Sequence, residues 1–177
     1  IVTLLGCALF PLGLRVHQAR QQKVAVGWVR KHGGSVSYNR QLREPEKGSS
    51  WFRKLMGDDF FRRAHRVNLP AEFYTQPQEF KVSEIQDLAQ LRRLPNLREL
   101  YVFGTQTRNL SSISGLTDLR ALGLGGAGIS DVSPLSGLKR LRRLSLVETS
   151  VTDLSPLAKL SNLEVLYIKG KVSDISP

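Results

Sequence analysis

The stretch Gly123-Leu124-Gly125-Gly126-Ala127-Gly128 matches G-x-G-x-x-G, the fingerprint of a loop that cradles a dinucleotide pyrophosphate. That chemistry needs the last glycine to open a helix whose N–H groups meet the phosphates, with an acidic residue about 20 positions on. Here Ile129-Ser130-Asp131-Val132-Ser133-Pro134 follows, a turn-rich run ending in proline, so the match carries no nucleotide site. His17, His32 and His65 lie far apart, and none has Asp, Glu or Cys at ligand spacing, which argues against a metal. Asp131, Asp153 and Asp174 would suit acid–base or calcium chemistry, but each falls at the same slot of a repeating pattern, the mark of local turn capping. No Ser-His-Asp or Cys-His set can be assembled. The sequence therefore reads as non-enzymatic, with no cofactor.

The elements that carry these residues are repeats. LTDLRALGLGGAGISDVSPLSG and LKRLRRLSLVETSVTDLSPLAK, residues 116 to 159, are two consecutive 22-residue copies of one pattern. Leu116, Leu119, Leu122 and Leu124 fall over Leu138, Leu141, Leu144 and Leu146, and Ile129, Asp131, Val132, Pro134 and Leu135 over Val151, Asp153, Leu154, Pro156 and Leu157. Leu94, Leu97, Leu100 and Val102 extend the pattern upstream, and Leu160, Leu163, Leu166 and Ile168 downstream. A fixed period of this size is the sign of a solenoid, whose units cannot bury an apolar face alone and must stack.

On these residues the chain resembles the leucine-rich repeat family, and within it the 22-residue repeats of bacterial internalin-like proteins, over residues 94 to 177. The resemblance implies an α/β leucine-rich repeat solenoid: a curved parallel sheet on the concave side, short helical turns on the convex side, and a helical N-terminal region. It also implies a protein ligand held on the concave face. Where the family carries Asn or Cys, this sequence has Thr105, Ala127 and Thr149; Thr can still hydrogen-bond a neighbouring turn and Ala cannot.

Side chains alternate along a strand, so with the leucines inward the outward positions follow. They are Glu99, Tyr101 and Phe103; Ala121, Gly123 and Gly125; Arg143, Ser145 and Val147; and Val165, Tyr167 and Lys169. Tyr101, Phe103 and Tyr167 with Arg143 are the residue types that anchor interfaces. The candidate protein-binding residues are thus Glu99, Tyr101, Phe103, Arg143, Ser145, Val147, Val165, Tyr167 and Lys169. By the same register Leu124→Arg unfolds the array and Gly125→Arg does not. Ser133-Pro134 and Ser155-Pro156 read as a helix N-cap before proline at the first helical position.

The net charge of +11 favours acidic partners, and residues 1 to 80 hold 13 basic and 6 acidic side chains. Lys139, Arg140, Arg142 and Arg143 offer a second reading, attachment to anionic lipid or nucleic acid, although the run also reads as a plain solvated face and nucleic acid is not the expected partner; a purely structural repeat segment of a larger protein is the remaining alternative. Cys7 is the single cysteine, which excludes an intrachain disulfide.

Residues 1 to 14, IVTLLGCALFPLGL, are uncharged. They read as the remnant of a membrane-anchoring helix, with a cleaved signal segment or a buried core helix as alternatives. Leu4-Leu5-Gly6-Cys7 resembles the lipobox of bacterial lipoproteins, but the apolar run continues to Leu14. The expectation is a single-pass membrane protein, with Arg15, Arg20 and Lys23 on the cytoplasmic side.

Residues 15 to 32 read as a helix closed by Gly33-Gly34, with Val24 and Trp28 on its packed side. Ser35 to Tyr38 alternates like a strand. Trp51–Leu55 and Asp58–His65 read as two helices whose Phe60 and Phe61 cap the first repeat, Val67–Leu69 as the first strand, and Ser83–Leu91 as a helix opened by a capping box. The chain thus divides into an apolar anchor (1 to 14), a helix-strand-loop juxtamembrane region (15 to 57), a cap with an irregular first repeat (58 to 93), and leucine-rich repeats (94 to 177) running to a truncated copy at Pro177.

Overall fold

The computed structural model describes residues 2 to 38, 63 to 69 and 85 to 170, with side chains from residue 13 onward. Its elements are a helix α1 (Val2–Lys31) and strands β1 (Ser35–Tyr38), β2 (Ala64–Leu69), β3 (Glu99–Val102), β4 (Ala121–Gly125), β5 (Arg143–Val147) and β6 (Val165–Lys169). Short 3-10 turns at Ala89–Arg93, Ser111–Ile113, Ser133–Gly137 and Ser155–Lys159 alternate with strands β3 to β6.

The strands form one sheet in chain order, with β1 antiparallel to β2 and all later neighbours parallel. Leu100, Leu122, Leu144 and Leu166 pair across β3 to β6, and so do Val102, Leu124, Leu146 and Ile168, which is the register the repeat dictates. The remaining leucines recur every third residue for a geometric reason. Leu91, Leu94 and Leu97 each donate an amide N–H to the carbonyl three residues earlier, as do Ile113, Leu116 and Leu119, and Leu135, Leu138 and Leu141. Side chains three apart eclipse in such turns, so every third leucine points into the same core. Leu97, Leu119, Leu138 and Leu141 are fully buried.

Each turn is capped from the same slot. Asp87, Asn109, Asp131 and Asp153 accept, on Oδ1, the amide N–H two residues on, at 2.8 to 2.9 Å. Asp131 and Asp153 are therefore turn caps, as their period indicated, while Asp174 lies outside the described residues. Ser133 and Ser155 are donors to these caps and sit inside the turn, so the expected serine N-cap is replaced by the residue two before it. Hydrogen bonds from Ser133, hydroxyl first and then amide, hold the Asp131 carboxyl below its usual range, and Ser155 does the same for Asp153.

A second slot governs exit from the strands. Gly104, Gly126, Glu148 and Gly170 all have positive φ, at 60°, 136°, 51° and 134°. Three copies use glycine, which has no Cβ to collide there; Glu148 holds a left-handed backbone that costs a side-chain-bearing residue about 1–2 kcal/mol.

The N-terminal end of the solenoid is covered by α1. Gln22, Ala25, Val26 and Val29 are buried at helical spacing, and Ala25 and Val29 join the core of Val67, Leu69, Leu88 and Leu91. Gln22 Oε1 accepts the Ala64 N–H at 3.0 Å. Gly33 has φ 74° and closes the helix, as expected, but Val24 is 53% exposed and the packed side is turned toward Val26 and Val29. The expected aromatic cap, Phe60 and Phe61, lies outside the described residues, as does Trp51–Leu55. Two assignments are corrected. Ala64 and His65 belong to β2 and not to a helix. Of the expected helix Ser83–Leu91, residues 83 and 84 are not described, 85 to 88 are not helical, and the turn starts at Ala89, where Asp87 supplies the cap.

The membrane assignment is also overturned. No helix among the described residues is long and apolar enough to cross a membrane. α1 has 30 residues, but its uncharged stretch stops at Leu14. Arg15, Arg20, Lys23, Arg30 and Lys31 follow in the same helix, while a span needs about 20 predominantly apolar residues. The helix lengthens the segment without lengthening its apolar part, and its last turns are committed to the first repeat. A single-pass protein anchored through residues 1 to 14 is not upheld.

Candidate protein-binding face

The sheet face opposite the 3-10 turns carries the outward residues of β1 to β6. In register across it lie Arg66, Glu99, Ala121, Arg143 and Val165, and beside them Asn68, Tyr101, Gly123, Ser145 and Tyr167. The expected outward residues are all on this face, but they do not form one uniform surface.

Its centre is set by what β4 lacks. A Cβ added to Gly123 would lie 2.7 Å from Phe103 Cζ and 2.8 Å from Tyr101 Cδ1, and one added to Gly125 would lie 2.6 Å from Phe103 Cδ1. The rings of Tyr101 on β3 and of Phe103 just past its end therefore lie across the bare backbone of β4, with centroids 6.5 Å apart and planes within 23°. Ala121, Gly123 and Gly125 are buried, whereas Tyr101 and Phe103 are half-buried. Gly123 and Gly125, two of the glycines that mimic a nucleotide loop, are a shelf for aromatic rings. Gly125 is outward, as the register requires, but not open: a side chain there must displace Phe103, a local cost at the sheet face and not the buried charge that Leu124→Arg introduces.

Charge is arranged around this plate. Arg66 pairs with Glu99 at 2.7 Å, and the Tyr101 hydroxyl donates to the same Glu99 carboxylate at 3.4 Å. Burial, and then the Glu99 charge, push the Tyr101 phenol above its usual range, while Arg66 and Arg143 act in the opposite sense. Arg143 is exposed on the far side of β4 from Glu99, and its guanidinium has no hydrogen bond or ion pair among the described residues. Ser145 and Val147 are half-buried beside it. Val165 and Tyr167 are 51% and 52% exposed, and Lys169 is exposed. Tyr167 stands three strands from Tyr101, about 14 Å away at the usual strand spacing, so it does not join the plate. Arg66 was missed because β2 was expected to begin only at Val67.

The other cations of the basic run are engaged. Arg140 pairs with Asp118, Arg142 with Glu164 at 3.1 Å, and Lys139 Nζ donates to the Lys159 carbonyl at 2.6 Å. At the family's Asn position the Thr105 hydroxyl is buried with no partner among the described residues, so the side-chain ladder is interrupted there. Among the described residues no three His, Cys, Asp or Glu side chains converge as a metal site.

The family model for leucine-rich repeats, in two copies, matches residues 139–177. An internalin (inlF) from Listeria monocytogenes is similar at 38% identity over 53% of this chain and 28% of that one, with a TM-score of 0.47. Internalin C2 (inlC2) of the same organism is similar at 33% identity over 54% of this chain and 52% of that one, TM-score 0.37. The leucine-rich repeat ectodomain of the receptor kinase SOBIR1 from Arabidopsis thaliana is similar at 13% identity over 86% and 93%, TM-score 0.48. No curated protein matches the chain in sequence. The chain spans less than two thirds of either internalin structure. The fold is an α/β leucine-rich repeat solenoid with an N-terminal helix. Proteins built this way generally serve protein–protein interaction.

Proposed function

We propose that this chain is a non-enzymatic binding module that holds a protein partner on the open face of its sheet, with Tyr101 and Phe103 as the anchor. Glu99, Arg143, Ser145 and Val147 surround the anchor; Val165, Tyr167 and Lys169 extend the contact toward β6. The observation that carries this reading is the half-buried aromatic pair lying on the Gly123–Gly125 shelf of the open face. Rings held flat by neighbouring packing lose little conformational entropy on binding, which is what makes aromatic anchors efficient. The competing reading, attachment to nucleic acid through the basic run, is weakened because three of its four cations already have partners.

The test is a parallel affinity selection with the wild type and with Tyr101→Ala/Phe103→Ala, both checked for cooperative melting. The proposal expects a partner retained by the wild type and lost by the variant, with retention little changed between 50 and 200 mM salt. Phosphate-driven attachment would instead weaken by about 10³-fold or more over that range. Equal retention by both proteins would refute the anchor.

A further inference from the structure

The open face is unequally charged. On β2 and β3, Arg66 and Glu99 neutralise each other. On β4 the outward residues are Ala121, Gly123 and Gly125, which carry nothing, and on β5 they are Arg143, Ser145 and Val147. Arg143 is thus a cation beside the aromatic plate with no acidic side chain outward on its own strand or on the strand between it and the plate. The acid that follows β5, Glu148, sits at the strand exit, with its carboxylate 3.5 Å from where a Gly170 Cβ would lie.

The plate itself is flat. The rings of Tyr101 and Phe103 fill the space that β4 side chains would occupy, so the surface over β4 is made of half-buried ring. A flat ring face suits the side of another aromatic or a long aliphatic chain, and an exposed guanidinium one strand away suits a carboxylate. One extended peptide presents both at once, since residues two apart along a strand share a face at about 7 Å.

We infer that the partner contributes an extended acidic segment, in which an apolar side chain rests on Phe103 and Tyr101 while a carboxylate on the same face pairs with Arg143. This rests on the open-face reading above and adds the partner's chemistry to it. The favoured motif alternates an aromatic or leucine with Glu or Asp; a basic segment meets Arg143 as a like charge and is rejected.

The experiment uses a random dodecapeptide display library selected against the full chain, followed by fluorescence anisotropy of the enriched peptides on wild type, Arg143→Glu and Phe103→Ala. The expected result is enrichment of peptides that alternate apolar and acidic residues. Their affinity falls about 10-fold on Arg143→Glu and by at least that on Phe103→Ala. Arg143 is exposed, so its variant folds whatever happens to Phe103. A further arm replaces Glu by Lys in an enriched peptide, which should regain binding on Arg143→Glu. Enriched peptides that are neutral or basic, yet lose affinity on Phe103→Ala, would overturn this inference and leave the open-face reading standing. Peptides that bind all three proteins equally would overturn the open-face reading itself. Failure to enrich any peptide would overturn the acidic segment as the recognised unit.

Discussion

Alanine at Gly125 tests the aromatic shelf. Its Cβ would stand 2.6 Å from Phe103 Cδ1 and 3.2 Å from the Val147 carbonyl oxygen. Carbon atoms settle at about 3.5–4.0 Å, so the ring must retreat by about 1 Å or swing into solvent. Overpacking of this kind costs about 1–3 kcal/mol, and alanine in place of glycine returns about 0.5–1 kcal/mol of backbone entropy. Gly125→Ala should therefore destabilise by about 1–2 kcal/mol, a fall of about 2–8 °C in melting temperature for a chain of this size. Phe103→Ala removes a half-buried ring and should cost about 1 kcal/mol. With the ring gone, Gly125→Ala meets no close side chain and should become neutral or slightly stabilising. A double-mutant cycle by urea denaturation should then show the two changes together costing about 1–2 kcal/mol less than their sum. Additive costs, within about 0.5 kcal/mol, would refute the claim that Phe103 rests on Gly125.

Leu124 is fully buried on the opposite side of β4, and Leu124→Arg leaves an unpaired charge there, so a loss of about 4 kcal/mol or more and of cooperative melting is expected by circular dichroism. Glu148→Gly should stabilise by about 0.5–1 kcal/mol, because it frees a left-handed slot that the other copies fill with glycine; a lower melting temperature would contradict the strain. Asp131 and Asp153 have depressed folded-state pKa values, so their contribution is present above about pH 4 and is lost as pH falls through the folded value. Asp131→Asn/Asp153→Asn keeps the Oδ1 acceptor, as Asn109 does in its own copy, and should flatten the acid limb of a stability–pH curve while leaving neutral stability unchanged. An unaltered acid limb would remove these caps as acid-sensitive groups.

The fold was legible because a 22-residue period fixes register without reference to distant parts of the chain. Leu122 over Leu144 in sequence is Leu122 beside Leu144 in the sheet. The period also gave the caps at Asp131 and Asp153, which extend back to Asp87 and Asn109, but one signal in it passed unread: the Gly104, Gly126, Glu148, Gly170 exits. What the period could not supply is anything that occurs once. α1 packs Ala25 and Val29 on the first repeat through tertiary contact, and an apolar start followed by arginines reads equally as an anchor. The candidate face was legible as a row of outward positions, but not its relief. Strand alternation says that Gly125 points outward; only the neighbouring strand's geometry shows that Phe103 already occupies the space above it.

The central claim is that a protein partner lies on the sheet face over β3 to β5, and hydroxyl-radical footprinting of the complex with a selected partner tests it most directly. Oxidation of Tyr101, Phe103 and Val147 should fall sharply on binding, while Pro134 and Pro156, in the 3-10 turns on the other side, should react as in the free chain. Protection of the prolines with unchanged reactivity at Tyr101 and Phe103 would contradict the account.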